Sequence, residues 1–221
     1  MSLQTLATLP SFFPPGTSNA EIFSRILKFY VPPGQGKRVL DATAGKREFW
    51  RRVQGDLFNW SEPYDTTFMD IAKRPSVDLQ ATYTVLPFKP RTFDCVIYDP
   101  PFAGKQNKLT GSKQQYVHWM DGDESFGFNK TTARYLLETR KFGIEAARVL
   151  VTHGLLISKC MDLGRRFIHM ELPKFLHRFK LIDVIVFATT GGKPLRPGTR
   201  RGLKQSHKLH SYFQVWEKFG R

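Results

Sequence analysis

The chain has 221 residues, 41% of them hydrophobic, and 34 lysines and arginines stand against 19 acids, a formal net charge of +15. That length supports one domain spanning residues 1–221 with a full core. The absence of any long uncharged apolar run argues against a membrane span or a signal-peptide core, so a cytoplasmic location is expected. The excess of positive charge favours a polyanionic partner, nucleic acid before any other. Cys95 and Cys160 lie inside apolar runs without metal-ligand spacing, so they are expected to be buried thiols, and no metal site is expected.

Residues 1–19 read as an extended N-terminal arm, because Leu3 to Thr17 is apolar and broken by prolines. Ser18 and Asn19 cap a helix over Ala20 to Tyr30, where Ile22, Phe23, Ile26, Leu27 and Tyr30 recur at helical spacing. "VPPGQG" stops it. Arg38 to Leu40 is a short buried strand entering "DATAGKREFW", and a helix begins at Glu48 to Val53. Thr66 to Met69 is a second strand and Phe93 to Tyr98 a third. Thr131 to Leu150 is a long helical pattern followed by the strand Leu155 to Ser158. Phe167 to Phe179 is helical, with Pro173 near its start or at a kink. Leu181 to Ala188 and Ser211 to Glu217 close the chain as strands with no helix between them. Strand and helix alternate through most of this order, which predicts an α/β, doubly wound, mostly parallel sheet with an antiparallel C-terminal edge hairpin.

Three of these strands end on an acid: Asp41, Asp70 and Asp99. Ligands of open parallel sheets bind at the carboxyl ends of the strands beside the topological switch point. The small residues after Asp41, in "VLDATAG", let a ligand approach the backbone, and a following helix N-terminus favours a negative group. Asp70 stands at the spacing where an acid accepts hydrogen bonds from a ribose.

Asp41 to Gly45, Asp70, "LQATYTVLPF" and "DPPF", in this order, resemble the class I S-adenosylmethionine-dependent methyltransferases, specifically the nucleic-acid amino-methyltransferases with an [Asp/Asn/Ser]-Pro-Pro-[Tyr/Phe/Trp] motif, here of the adenine N6 type. The resemblance runs from about Ala20 to Lys218, and "DPPF" is its most specific element. It implies a Rossmann-like fold, S-adenosyl-L-methionine as cofactor, and a turn formed by Asp41, Thr43, Ala44 and Gly45 under the methionine part. It also implies Asp70 on the ribose hydroxyls, with Gln80 and Ala81 beside the adenine. One departure stands out: the family turn often carries a second glycine two residues after the first, and this chain has Lys46 and then Arg47. Either side chain pairs with the cofactor carboxylate or points to solvent.

The resemblance assigns catalysis to Asp99, Pro100, Pro101 and Phe102. An exocyclic base amine is a poor nucleophile because its lone pair is delocalised into the ring. If the Asp99 carboxylate and the Pro100 carbonyl accept its N–H bonds, the nitrogen can pyramidalise and aim that pair at the methyl group. The prolines stiffen the turn, and Phe102 offers a stacking face. A duplexed base must be flipped out to reach such a pocket. Lys159, ending "LLISK", faces that pocket or serves the fold.

Substrate contacts are expected from two loops. Residues 103–130 contain Lys105, Lys108 and Lys113 among amides and aromatics, and residues 191–210 contain Arg196, Arg200, Arg201 and Lys204 without an acid. Such cations track phosphates, and the amides and rings read bases. DNA adenine N6 is preferred, because motifs that begin with Asp are typical of it. An RNA enzyme acting on adenine N6 or guanine N2 stays open, as does a catalytically silent, methyltransferase-shaped nucleic-acid-binding subunit.

Overall fold

A computed structural model describes residues 8–32, 36–52, 64–100, 132–162, 167–188 and 210–220. The elements in chain order are β1 (Phe12–Phe13), α1 (Asn19–Tyr30), β2 (Arg38–Asp41), a 3₁₀ helix (Glu48–Arg52), β3 (Asp65–Asp70), β4 (Leu79–Gln80), β5 (Phe93–Tyr98), α2 (Thr132–Val149), β6 (Leu150–Met161), α3 (Ile168–Phe175), β7 (Phe179–Ala188) and β8 (His210–Lys218). The strands form one eight-stranded sheet in the order β1-β7-β8-β6-β5-β2-β3-β4. Every pairing is parallel except those of β8, which runs antiparallel to both β6 and β7. This is the expected α/β sheet of Rossmann-like type. The closing hairpin is present, with its second strand folded inward between β6 and β7, and Phe12–Phe13 of the arm added outside β7.

Helix α1 forms as its spacing dictates. Ser18 accepts a hydrogen bond from the backbone N–H of Glu21 (3.2 Å), and Ile22, Phe23, Ile26 and Leu27 are buried together on one side. They pack with Trp50 on the sheet face made by Val39, Phe68, Ile97, Phe213 and Val215. The other face carries Leu40, Met69, Val96, Leu156 and Trp216 beneath α2 and α3, and the rings of Tyr98 and Phe142 stack there with centroids 3.8 Å apart. Both cysteines are free and buried, and burial raises both thiol pKa values. Among the described residues, no helix is long and apolar enough to cross a membrane.

Several boundaries depart from the sequence reading. The segment after Glu48 is a short 3₁₀ helix, and the strand expected over Leu155 to Ser158 is twelve residues long, starting at Leu150. Helix α3 stops at Phe175 and holds Pro173 in its interior. Proline cannot donate to the carbonyl four residues earlier, which belongs to His169. The buried Gln214 of β8 donates to that carbonyl instead, at 2.8 Å, so the helix tolerates its proline.

Candidate active site

The chain leaves β2 towards β3 on one side and leaves β5 towards β6 on the other, so β2 and β5 flank the topological switch point. Asp41 and Asp99 are the residues at those two strand ends, and Asp70 ends the neighbouring β3. The structure therefore brings together the three acids singled out in the sequence.

The Asp41 carboxylate is buried. One oxygen accepts from the backbone N–H of Thr43 (3.1 Å), the other from the indole N–H of Trp50 (2.8 Å). Burial pushes this carboxyl up to about 7; the two donors oppose the rise, and the charges of Asp99 and Asp70 add to it. Thr43 also works in the other direction, since its Oγ1 accepts from the backbone N–H of Asp99 (2.8 Å) and so ties the ends of β2 and β5 together.

Asp70 holds the turn from the other side. Its Oδ2 accepts from the Gly45 N–H (2.8 Å) and its Oδ1 from the Ala72 N–H (2.9 Å), which leaves each oxygen a second lone pair. Gly45 adopts the left-handed conformation, φ +51°, that only glycine takes without strain. Ala44 donates to the Met69 carbonyl (2.9 Å). Gln80 lies opposite Asp70 in the β3–β4 register and turns its amide back onto the Ile71 carbonyl (3.0 Å), while Ala81 donates its N–H to the Asp70 carbonyl (3.0 Å).

Arg47 follows neither of the two expected courses. Its Nε donates to the Ser76 carbonyl (2.5 Å), its guanidinium pairs with Asp78 (3.0 Å), and its Cζ lies 3.6 Å from the centre of the Phe68 ring. Its backbone takes the left-handed conformation, φ +56°. The arginine holds that conformation at a cost of about 1–2 kcal/mol, and its contacts to Phe68 in β3 and to Ser76 and Asp78 in the β3–β4 connection offset it.

Asp99 retains access to the outside, with a quarter of its side-chain surface exposed, and its Oδ2 lies 3.5 Å from Nζ of Lys159, whose side chain is 11% exposed. Burial raises the Asp99 carboxyl, and the Lys159 charge pulls it back down. Lys159 also lies over the Phe49 ring, 5.4 Å from its centre. Lys159, for which the sequence left pocket and framework roles open, thus stands beside Asp99. Pro100 is buried at the strand end. Pro101, Phe102, Lys105, Lys108, Lys113, Arg196, Arg200, Arg201 and Lys204 lie outside the described residues.

Two features had no signal in the pattern of the sequence. Trp50 reads as a core aromatic, and nothing local marks its indole as the donor to Asp41. On the opposite face of the sheet, at the same carboxyl rim, the buried Asp162 accepts from Nδ1 of His169 (2.8 Å) and from the Tyr212 hydroxyl (3.1 Å), and the His169 ring stacks on Tyr212 with centroids 4.0 Å apart. These three residues come from the end of β6, from α3 and from β8, so only the folded sheet unites them.

No protein-family model matches the chain, and no curated protein matches it in sequence. Solved structures do match in fold. An S-adenosylmethionine-dependent methyltransferase from Methanosarcina mazei superposes with a TM-score of 0.51 at 14% identity, over 89% of this chain and 98% of that one. The [4+2]-cyclase SpnF gives 0.53 at 13% identity, over 91% of this chain and 82% of that one. TrmN from Thermus thermophilus gives 0.50 at 14% identity, over 90% of this chain and 49% of that one. The chain has the Rossmann-like fold of S-adenosylmethionine-dependent methyltransferases. Because one neighbour is a cyclase, the fold leaves the reaction to be argued from the site.

Proposed function

We propose that this chain is an S-adenosylmethionine-dependent methyltransferase acting on an exocyclic base amine of nucleic acid, adenine N6 in DNA before its RNA counterparts. The observation that carries the reading is the end of β5, where Thr43 fixes the Asp99 backbone beside the Asp41–Gly45 turn, with Lys159 against the acid.

The residues fit the cofactor. A glycine at positive φ lets a ligand approach the turn, Asp70 keeps two lone pairs for ribose hydroxyls, and the small Ala81 leaves room beside an adenine. When bound, the cofactor supplies a methyl group on a positively charged sulfur. The chain's own part is to prepare the nucleophile. Lys159 favours the charged form of Asp99 against its burial, and only the carboxylate form has all its lone pairs free to accept a base N–H. The Pro100 carbonyl is the second acceptor in this reading. Together they draw the amine out of conjugation, which is electrostatic preorganisation of the kind that dominates many enzyme sites. Asp41 and Asp70 hold the turn with their side chains and leave its backbone as the wall of the pocket.

The charge of +15 supports a polyanionic substrate. The test is methyl transfer from labelled S-adenosylmethionine to DNA and to total RNA, with nucleoside analysis, on the wild type and on Asp99→Ala. The wild type should yield N6-methyldeoxyadenosine, and the variant should lose transfer by at least a hundredfold while binding S-adenosylhomocysteine within a few-fold of normal. Methylated guanine or cytosine would overturn the choice of atom, and undiminished transfer by the variant would overturn the role of Asp99.

A further inference from the structure

The amino-terminal end of the sheet, opposite to Asp41 and Asp99, contains a cavity of about 350 Å3. Its walls come from the residues that enter or leave the strands there: Arg91 before β5, Arg148 at the end of α2, His177 and Arg178 before β7, and Lys218 and Phe219 at the end of the reversed β8. Among the described residues, no carboxylate lines it.

The cations divide into two kinds. Arg148 is committed, since it pairs with Glu145 (2.7 and 2.9 Å) and donates to the carbonyls of Leu86 (2.7 Å) and Phe88 (2.6 Å). Arg91 and Arg178 are exposed, and their guanidinium groups have no hydrogen bond or ion pair among the described residues. Lys218 is only 8% exposed, and its ammonium uses one donor, on the Leu150 carbonyl (2.7 Å), leaving two without an acceptor among the described residues. Burial, and then the nearby positive charges of Arg91 and Arg178, hold its pKa below the usual lysine value. A buried ammonium facing two guanidinium groups is unfavourable unless an anion joins them.

We propose that this cavity is an anion site that takes a phosphate group, held by the forks of Arg91 and Arg178 and by the Lys218 ammonium. Arginine forks match phosphate oxygens two at a time, and lysine adds a point charge. Phe219, half exposed at the rim, gives a flat apolar wall to whatever ring the phosphate carries. The volume lies in the range of small-ligand sites. The phosphate belongs either to a free phosphorylated compound or to the backbone of a nucleic acid that reaches round from the opposite rim. The first source is independent of the methyl-transfer reading, and the second rests on it.

The test uses the full chain and compares the wild type with Arg91→Ser/Arg178→Ser by calorimetry at low salt, with inorganic phosphate and thymidine 5′-monophosphate as small probes and a thymidine oligonucleotide as the polymer. A second variant, Arg140→Ser/Lys141→Ser, removes the same charge from an exposed part of α2. Thermal unfolding midpoints within a few degrees of the wild type confirm that both variants fold. The proposal expects one of two results. Small-probe binding that weakens at least tenfold in the Arg91/Arg178 variant alone assigns the site to a free phosphorylated compound. Oligonucleotide binding that weakens in that variant alone, with a salt slope reduced by about one to two, assigns it to nucleic-acid phosphates. Unchanged binding of every probe, or equal losses in both variants, would overturn it.

Discussion

Replacing Asp41 with asparagine separates the cost of burying this acid from its hydrogen bonds. The residue is 3% exposed, and its carboxyl moves from 3.8 up to about 7, first through burial and then through the charges of Asp99 and Asp70. The unfolded chain therefore ionises this group from about 3.8 upward, while the native protein keeps its proton up to about 7. Between those values folding takes up a proton, so wild-type stability falls as pH rises, and the loss is complete above about 7. Asparagine does not titrate, and the other groups contribute to both proteins alike. Each pH unit corresponds to about 1.4 kcal/mol. Over the roughly two units from about pH 5 to about pH 7, the stability difference between variant and wild type should move by about 3 kcal/mol in the variant's favour. The acceptor lost to Trp50 or Thr43 costs about 1–3 kcal/mol at either pH and drops out of that difference. Urea unfolding followed by tryptophan fluorescence, at about pH 5 and about pH 8 without cofactor, measures it. Parallel stability curves for the two proteins would refute the reasoning, because they would mean that Asp41 ionises in the native state as it does in the unfolded chain.

Two further outcomes follow from contacts described above. Lys159→Met removes the charge that opposes the burial of Asp99, so the acid limb of the kcat profile should move to higher pH while the KM for the cofactor stays unchanged; a limb that stays in place in a folded variant would separate Lys159 from the acid. Gln214→Met keeps the buried volume but strands the His169 carbonyl beside Pro173, at a cost of about 1–3 kcal/mol. Differential scanning calorimetry should show Tm lower by several degrees, and an unchanged Tm would mean that the carbonyl finds another donor.

The parts of the molecule legible in the sequence are those whose signal is local. Helix α1 announces itself through its apolar spacing and its cap, and β5 through the apolar run Cys95 to Tyr98, buried throughout, before an acid. The acids at Asp41, Asp70 and Asp99 were legible because strand ends in a parallel sheet share one rim, so an order of elements already implies a meeting place. Strand β6 was read short because Thr152, His153 and Gly154 break its apolar run, and His153 takes φ +59° within it. Strand β4 is two residues long and has no periodicity to detect. The contacts that finish the site join residues far apart in sequence: Trp50 with Asp41, Arg47 with Asp78, Lys159 with Asp99, and His169 with Asp162 and Tyr212. Such pairings depend on register and rotamer, which no local pattern encodes.

The reversal of β8 has a consequence for where its connection to β7 lies. Because β7 runs with the parallel strands and β8 against them, Ala188 and His210 stand opposite each other in register at the rim that also carries Asp99. The connection between them, densely basic in sequence, therefore starts and finishes at that rim whatever its length. Residues joining Asp99 to α2 likewise depart from the end of β5. Both connections therefore open on the rim that carries Asp41, Asp70 and Asp99. In the function proposed above, the residues that would choose the target thus enter at the same rim as Asp99, the acid that would prepare the amine.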